Sequence, residues 1–437
     1  MKKTLLVTCV GLNHITSPIE ERERLAFARD ELRDLLPGIA ESLHGAAVLS
    51  TCNRTELYTT APAGEGAKLV RLLNDAKGAS VSEDHFYVLQ HEDAVRHLLR
   101  VASGIDSMVL GESQILGQVR EAMSIATDAS TLNGTLSFTF HSAIHTGKRA
   151  RTETNIGRHA VSVSSAAVSL AKKSLGDLTG KTVLVISAGS MGKLAARALA
   201  QQTRSHILVA NRTQARAAEL AEQLGPETEA VDFGHLPEAL AAADIVISGT
   251  SSEGFIIGPD DVRPVMKGRR DRGLLFIDIA VPRDVDPAVR ALPGVHLCDI
   301  DDIEAVTDEG WTGRQGEVDK VEAIISEEIA AFADWWRSLD VVPVIAALRE
   351  RAESIRQREV ERTLGKMDLD ETDRERIEAM TAAIVKKMLD APIAHLKNGT
   401  DRGLYMEALE LLFDVKPSGG SRPSSRGSGG PRGQASH

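Results

Sequence analysis

Hydrophobic and polar positions divide the chain into three stretches with different periods. Up to about residue 155, short apolar runs at Thr4 to Val10 and Ala46 to Leu49 mix with helical segments at Glu20 to Leu36 and Ala94 to Ser103, a pattern that predicts an α+β fold. A helical segment from Ser162 to Ser174 then meets the turn Gly176-Asp177-Leu178-Thr179-Gly180. Four short, branched runs follow, at Thr182 to Ile186, His206 to Ala210, Asp244 to Gly249 and Leu274 to Ile279, with helical pattern between them. Strands that alternate with helices predict an α/β domain with a parallel, doubly wound, Rossmann-like sheet. From about residue 305 the pattern is all-α. Val321, Ile325, Ile329, Phe332, Trp336 and Leu339 fall on one helix face, and the spacing returns from Pro343 to about Leu364 and at Ile377, Met380, Ile384 and Met388. Such stripes are covered either by a second copy of the chain or within a self-contained bundle. Pro417 to His437 is Ser, Gly, Pro and Arg with no apolar residue large enough for a core, so disorder is expected there.

Length supports the division, since 437 residues at about 150 per domain give roughly three domains. The expected boundaries are 1–155 for the α+β domain, 156–304 for the Rossmann-like domain, 305–415 for the helical domain and 416–437 for the tail. A net charge of −11 and a pI near 5.7 exclude the broad basic field of a general nucleic-acid binder, so any RNA contact is local. The three cysteines, Cys9, Cys52 and Cys298, are far apart; they support neither a disulfide framework nor a cysteine-rich metal site, and no metal is expected. The apolar start is short and lacks a small-residue cleavage site, and no run of about 18 uncharged apolar residues occurs. A cytoplasmic protein is expected.

The run Ser187-Ala188-Gly189-Ser190-Met191-Gly192 follows the strand Thr182 to Ile186 and precedes a helix starting near Lys193. That context suits a dinucleotide: the loop would set a pyrophosphate against backbone N–H groups and the positive end of the helix dipole. Ser187 stands where the fingerprint has its first glycine, while Gly189 and Gly192 are in place. The second strand ends at Ala210-Asn211-Arg212-Thr213, where an NAD-binding domain usually offers an acidic residue. Arg212 suits a phosphate and favours NADPH. A structural βα turn and a surface arginine are the plainer alternatives. Thr250 should lie on the ligand side of the sheet.

Cys52 lies in Ser50-Thr51-Cys52-Asn53-Arg54-Thr55-Glu56 after an apolar strand, with Arg54 close enough to influence its ionisation. Most isolated cysteines are small buried hydrophobes, and Cys9 and Cys298 are read so, but Thr51, Asn53 and Arg54 are poor company for a core position. A thiol and a hydride-donor site in one chain together suggest reduction of an acyl group through a thioester. His97, on spacing alone, reads as a packed or surface histidine. Gly111-Glu112-Ser113-Gln114-Ile115-Leu116-Gly117-Gln118 gathers polar groups around a helix start, where ordinary capping by Glu112 and Ser113 would also account for them.

At Gly11 to His14, Ser50 to Glu56, Arg100 to Gln118, Asp278 to Asp284 and Lys387 to Pro392 the chain resembles the glutamyl-tRNA reductases. The resemblance implies a catalytic domain that binds glutamyl-tRNA(Glu), an NADPH domain and a helical dimerisation domain in a V-shaped homodimer. It further implies that Cys52 takes the glutamyl group as a thioester, which NADPH reduces to glutamate-1-semialdehyde, the first step from glutamate to 5-aminolevulinate and porphyrins. Substrate contacts carry over to Thr51, Asn53, Arg54, Ser107, Glu112, Ser113, Gln114 and Gln118. His97 matches a position the family needs for activity, as proton donor or as orienter of the ester. Arg54 is a sensible bidentate partner for the glutamate side-chain carboxylate, and the reactive aldehyde makes handover to glutamate-1-semialdehyde aminomutase an expected partnership. Asp390 stands where the family often has histidine.

Lys148, Arg149, Arg151 and Arg158 form a local basic cluster for tRNA phosphates or a solvated helix end. Two other functions stay open. A small-substrate dehydrogenase such as shikimate dehydrogenase, whose cofactor strand also ends in Asn-Arg-Thr, needs no thiol. A non-catalytic tRNA-binding or redox-sensing protein would bind NADPH and yield no aldehyde.

Overall fold

The structure, a computed structural model, describes residues 5–108, 110–112, 114–157, 163–187, 190–203, 206–250, 252, 254–269, 272–307, 315–339, 341–367, 369–398, 408–409 and 411–413. One compact unit spans Leu5–Ile329 and a second begins at Ala330.

The amino-terminal lobe holds β1 (Leu5–Asn13), α1 (Ile19–Arg24), α2 (Arg29–Glu41), β2 (Ala46–Ser50), β3 (Arg54–Pro62), α3 (Gly66–Lys77), β4 (Tyr87–Gln90), α4 (Glu92–Ser103), α5 (Gln114–Asp128) and α6 (Gly134–Glu153). Its antiparallel sheet has the order β2-β3-β1-β4. The central strand β3 is buried from Arg54 to Ala61 although it reads Arg-Thr-Glu-Leu-Tyr-Thr-Thr-Ala. Its polar side chains therefore need partners inside the protein. The single helix expected over Glu20 to Leu36 is two helices. Leu25 and Phe27 are buried between them and the Phe27 N–H bonds Ser50 Oγ at 3.0 Å, so burial and strand docking outweigh helix propensity there.

The second lobe contains α7 (Val163–Leu175), β5 (Thr182–Ser187), α8 (Ser190–Thr203), β6 (His206–Asn211), α9 (Gln214–Leu224), β7 (Thr228–Asp232), α10 (Leu236–Ala242), β8 (Ile245–Gly249), α11 (Pro259–Gly268), β9 (Leu274–Asp278), β10 (Val295–Cys298) and α12 (Ile300–Thr307). All six strands are parallel, in the order β10-β9-β8-β5-β6-β7. This is a doubly wound sheet whose strand order reverses between β5 and β8. Val183, Val185, Ile207, Val209 and Ile277 fill one face, and Leu184, Ile186, Leu208, Val246 and Phe276 the other. Burial on both faces is why these strands read as unbroken apolar runs.

Helix α13 (Gln315–Leu339) buries Val321, Ile325 and Ile329. Glu322 pairs with Arg100, and Glu327 and Glu328 with Arg149. This part of the stripe is thus covered by the chain itself rather than by a second copy. In the second unit, α14 (Val341–Leu364) and α15 (Glu371–Asn398) form an antiparallel pair around Val344, Leu348, Leu389 and Leu396. Met380, Ile384 and Met388 stay exposed on α15. The expected disordered tail, 416–437, lies outside the described residues.

Gly111 has φ +80°, and a Cβ there would lie 2.0 Å from the Ile156 carbonyl oxygen. Gly111→Ala is expected to cost about 2 kcal/mol or more, measured by urea unfolding; a midpoint matching the parent would refute the close approach.

Candidate active site

Strands β2 and β3 form a hairpin in which Ser50 faces Thr55, and its turn carries Thr51, Cys52, Asn53 and Arg54. Thr51 Oγ1 accepts the N–H groups of Asn53 at 3.1 Å and Arg54 at 3.2 Å, while the Thr51 N–H bonds the Arg54 carbonyl at 2.8 Å. Such a turn, with its amides engaged by a threonine hydroxyl, holds Cys52 at a fixed tip. The His14 N–H bonds the Asn53 carbonyl at 3.0 Å, which ties the end of β1 to the same turn. Around the tip is a pocket of about 300 Å³ lined by Thr51, Cys52, Asn53, Arg54, Ser107, Glu112, Gln114, Ile115 and Gln118. Seven of the eight expected substrate contacts thus share a wall with the thiol; Ser113 lies outside the described residues. Asn53 Oδ1 and Ser107 Oγ are buried without a hydrogen-bond partner, and a buried polar atom left unpaired is costly unless a ligand completes it.

Behind the turn, Arg54, Glu56 and Tyr58 occupy alternate positions of β3 and so project to one face. The Glu56 carboxylate, fully buried, accepts Arg54 Nη1 at 2.8 Å, the Tyr87 hydroxyl at 2.6 Å and His97 Nε2 at 2.8 Å on one oxygen, and the Tyr58 hydroxyl at 2.6 Å on the other. Burial alone would raise its pKa; His97 and Arg54 outweigh that and hold the carboxyl well below the usual range. Arg54 Nη2 also bonds the Asp106 carbonyl and, at 3.0 Å, Asp106 Oδ1. The open bidentate fork expected at Arg54 is therefore already engaged by the protein's own acids. His97, only 8% exposed, does not line the pocket; it stands behind Arg54, joined to it through Glu56. Glu56, Tyr58, Tyr87 and Asp106 were not singled out from the sequence; the alternation of Arg54, Glu56 and Tyr58 along one strand was a signal for the first two, and nothing local marks Tyr87 or Asp106. Cys9, Glu56 and His97 bring ligand atoms within 4.8 Å of one another, but the Arg54 guanidinium already supplies the cation there.

The dinucleotide elements meet at the carboxyl ends of β5, β6 and β8. A cleft of about 240 Å³ is lined by Ile186, Ala210, Asn211, Arg212, Phe233, Thr250 and Ile256. Arg212 is exposed at this cleft, and Asn211 Oδ1 accepts the Thr213 N–H at 2.8 Å. Ser187 ends β5, while Ser190 and Met191 open α8 followed by the buried Gly192; Ala188 and Gly189, and the side chains of Ser187, Ser190 and Met191, lie outside the described residues. A Cβ on Gly249 would meet Ile279 Cγ1 at 3.0 Å, so β8 leaves room at the strand ends only as glycine. The residues present fit a dinucleotide at the point where the strand order reverses. Thr250 is held by Asp284, which accepts its N–H at 2.8 Å and its hydroxyl at 2.5 Å.

Residues 10–154 match the family model for the glutamyl-tRNA(Glu) reductase amino-terminal domain, residues 169–306 that for shikimate/quinate 5-dehydrogenase, and residues 320–415 that for the glutamyl-tRNA(Glu) reductase dimerisation domain. The glutamyl-tRNA reductase of Syntrophotalea carbinolica is 44% identical over 422 residues, covering 93% of this chain and 94% of that one. That of Geobacter sulfurreducens is 43% identical over 420 residues, covering 94% and 96%. The chain belongs to the glutamyl-tRNA reductase family. The solved glutamyl-tRNA reductase from Methanopyrus kandleri is 36% identical and covers 93% of this chain and 98% of its own, with a TM-score of 0.48. The protein is accordingly an oxidoreductase of the reduction step in tetrapyrrole synthesis, with a nicotinamide-binding domain and a dimerisation domain. Among the described residues no helix is long and apolar enough to cross a membrane.

In the basic cluster read as a tRNA contact or a solvated helix end, two members are engaged by this reductase's own groups and Lys148 is exposed. Arg149 pairs with Glu153, Glu327 and Glu328 at 2.8 to 2.9 Å, and Arg151 donates to the carbonyls of Ala102, Gly147 and Glu112. Arg158 lies outside the described residues. Cys9 is buried as a core residue, whereas Cys298, at the end of β10, is partly exposed. Burial pushes the Cys52 thiol up to about 12, with Glu112 adding to the rise and Arg22 and Arg54 opposing it. Glu112 is itself raised by burial to about 7, with Arg151 opposing.

Alkylation of Cys52 by iodoacetamide in the empty protein is therefore expected to keep accelerating with pH, without a plateau, up to about pH 10; a plateau below about pH 9 would contradict the raised thiol. For Glu112 the folded pKa lies above the unfolded one, so ionisation costs stability as pH rises through about 7. Glu112→Gln is expected to raise the thermal midpoint near pH 8, by the equivalent of at most about 3 kcal/mol, and to leave it unchanged near pH 4. Equal effects at both pH values would exclude a strained carboxylate.

Proposed function

We propose that this chain reduces glutamyl-tRNA(Glu) with NADPH to glutamate-1-semialdehyde, releasing tRNA(Glu), through a thioester on Cys52. The observation that carries the reading is the pocket in which a fixed thiol stands beside the unpartnered Asn53 Oδ1 and Ser107 Oγ. An acyl group bound there brings polar atoms to both. In the first step Cys52 Sγ attacks the α-carbonyl carbon; the S–C bond forms, the C–O bond to the terminal ribose breaks, and the thiol proton leaves with the ribose hydroxyl.

Glutamate specificity follows from two charges. Arg54 lines the pocket and uses three N–H groups on Glu56 and Asp106, which leaves two of its five to meet the side-chain carboxylate. Glu112 is the carboxylate lining the pocket among the described residues and faces the substrate ammonium, a cation that favours its ionised form. Thr51, Gln114 and Gln118, with Ser113, complete the polar wall. His97 acts through Glu56 as an orienting group, since it holds the carboxylate that holds Arg54.

Residues 187–192 and the amino end of α8 would hold the cofactor pyrophosphate, and Asn211, Arg212 and Thr213 its ribose phosphate, the basis for NADPH over NADH. NADPH held there would supply the hydride for reduction of the thioester to the aldehyde, and Cys52 would take back the sulfur as its thiolate. In this reading 1–155 is the catalytic domain, 156–304 the NADPH domain and 305–415 the dimerisation domain, whose exposed Met380, Ile384 and Met388 meet a second copy. The enzyme works in the cytoplasm and passes its aldehyde to glutamate-1-semialdehyde aminomutase.

The purified chain, given tRNA charged with labelled glutamate and NADPH, is expected to form labelled aldehyde, while Cys52→Ser forms none. Without NADPH, Cys52-dependent release of glutamate is expected to continue slowly. Aldehyde from the Cys52→Ser protein, or none from the unaltered one while NADPH binds, would overturn the proposal.

A further inference from the structure

The segment Asp278 to Asp284 is absorbed by neither pocket. Asp278 Oδ2 accepts the N–H groups of Asp284 and Val285, both at 2.9 Å, and its Oδ1 that of Ala280 at 3.1 Å. A buried carboxylate that gathers three amides fixes the path of a loop. The loop presents Arg283 to the short helix α1 of the other lobe. There Arg283 Nε meets Glu23 Oε1 at 2.8 Å, Nη2 meets Glu23 Oε2 at 3.1 Å and Nη1 meets Glu20 Oε1 at 3.1 Å, while the Arg283 N–H bonds Glu23 Oε1 at 2.7 Å. Arg283 is 7% exposed and Glu23 15%, so this bidentate pair is shielded from water and stronger than a surface ion pair.

One residue away, Arg22 makes the second bridge. Its side chain is 2% exposed; Nη1 donates to the Cys52 carbonyl at 3.1 Å and Nη2 to Asp301 on α12. Between the two bridges Val281 and Ile300 of the dinucleotide lobe pack with Ile19, Met108 and Cys52. The contact between lobes therefore includes the backbone and side chain of the thiol residue itself.

We propose that Arg283 with Glu23, and Arg22 with Asp301, form a clasp that sets the dinucleotide lobe over the Cys52 turn, and that hydride transfer depends on it while acyl transfer does not. The inference rests on the thioester reading above. Acyl transfer uses only the pocket of the amino-terminal lobe. Hydride transfer needs a donor on one lobe and an acceptor on the other within about 3.5 Å, where a displacement of about 1 Å costs on the order of a hundredfold in rate. Arg283 and Asp301 are positioning residues in this scheme.

The test uses the full chain with Arg283→Ala, Arg283→Lys and Asp301→Asn. Alkylation of Cys52, followed by peptide mass, needs no substrate and reads the clasp directly: Arg283→Ala and Asp301→Asn are expected to speed it about fivefold or more as Val281 and Ile300 lose their hold over the thiol. Both should lower aldehyde formation by about tenfold or more, yet leave Cys52-dependent glutamate release without NADPH undiminished or faster, and NADPH binding by fluorescence within about twofold. Arg283→Lys, which keeps the charge but not the fork, should recover part of the reduction. Unchanged alkylation, aldehyde formation within about twofold of the parent, or equal losses of release and reduction would each overturn the clasp. Failure of the unaltered chain to make aldehyde would instead count against the thioester reading, with alkylation still deciding the clasp.

Discussion

The Glu56 carboxylate is the interaction on which the amino-terminal lobe's chemistry depends. It is fully buried yet ionised, because a guanidinium, an imidazole and two phenols give it four donors. A carboxylate in such a place is destabilising by several kcal/mol unless every lone pair is met. Glu56 therefore fixes Arg54 at the pocket wall, orients His97 with Nε2–H toward itself, and draws Tyr87 of β4 onto β3. Loss of any one donor leaves a buried charge short of compensation.

The thiol is placed by the opposite logic. Cys52 stands at a turn tip, covered by apolar side chains from both lobes, and burial keeps its proton on. A protonated thiol reacts slowly with alkylating agents and oxidants. The same covering brings Val281 and Ile300 to the thiol, so the enclosure that quietens Cys52 also joins the dinucleotide lobe to it. Under the thioester chemistry proposed above, that covering slows hydrolysis relative to reduction.

Legibility in the sequence follows from periodicity. The parallel sheet was legible because strands buried on both faces leave continuous branched runs, as in Thr182 to Ile186. Strand β3 was not, because its buried residues are mostly polar and are satisfied by partners far away in the chain: Arg54 by Asp106, Glu56 by Tyr87 and His97, Thr59 by the Gly45 carbonyl. The break at Leu25 to Ala28 was hidden for a similar reason, since helix-forming residues there are held out of a helix by burial against β2. Local charge was open to two readings as well. Arg149 and Arg151 look like a phosphate-binding cluster until α13 and three backbone carbonyls take their donors.

By itself, then, the sequence determined the three-part division of the chain, the strands of the parallel sheet that are buried on both faces, and the polar run around Cys52. Each of these rests on local propensity, on spacing within one element, or on a short motif. Tertiary structure alone decided that Arg54 meets the pocket half engaged, that His97 stands behind it rather than at the reacting carbon, and that Arg22, Glu23, Arg283 and Asp301 join the lobes at Cys52. Those facts depend on contacts between residues as far apart as 22 and 301. No period or motif encodes such pairs, because they form only when folding closes the loops between them.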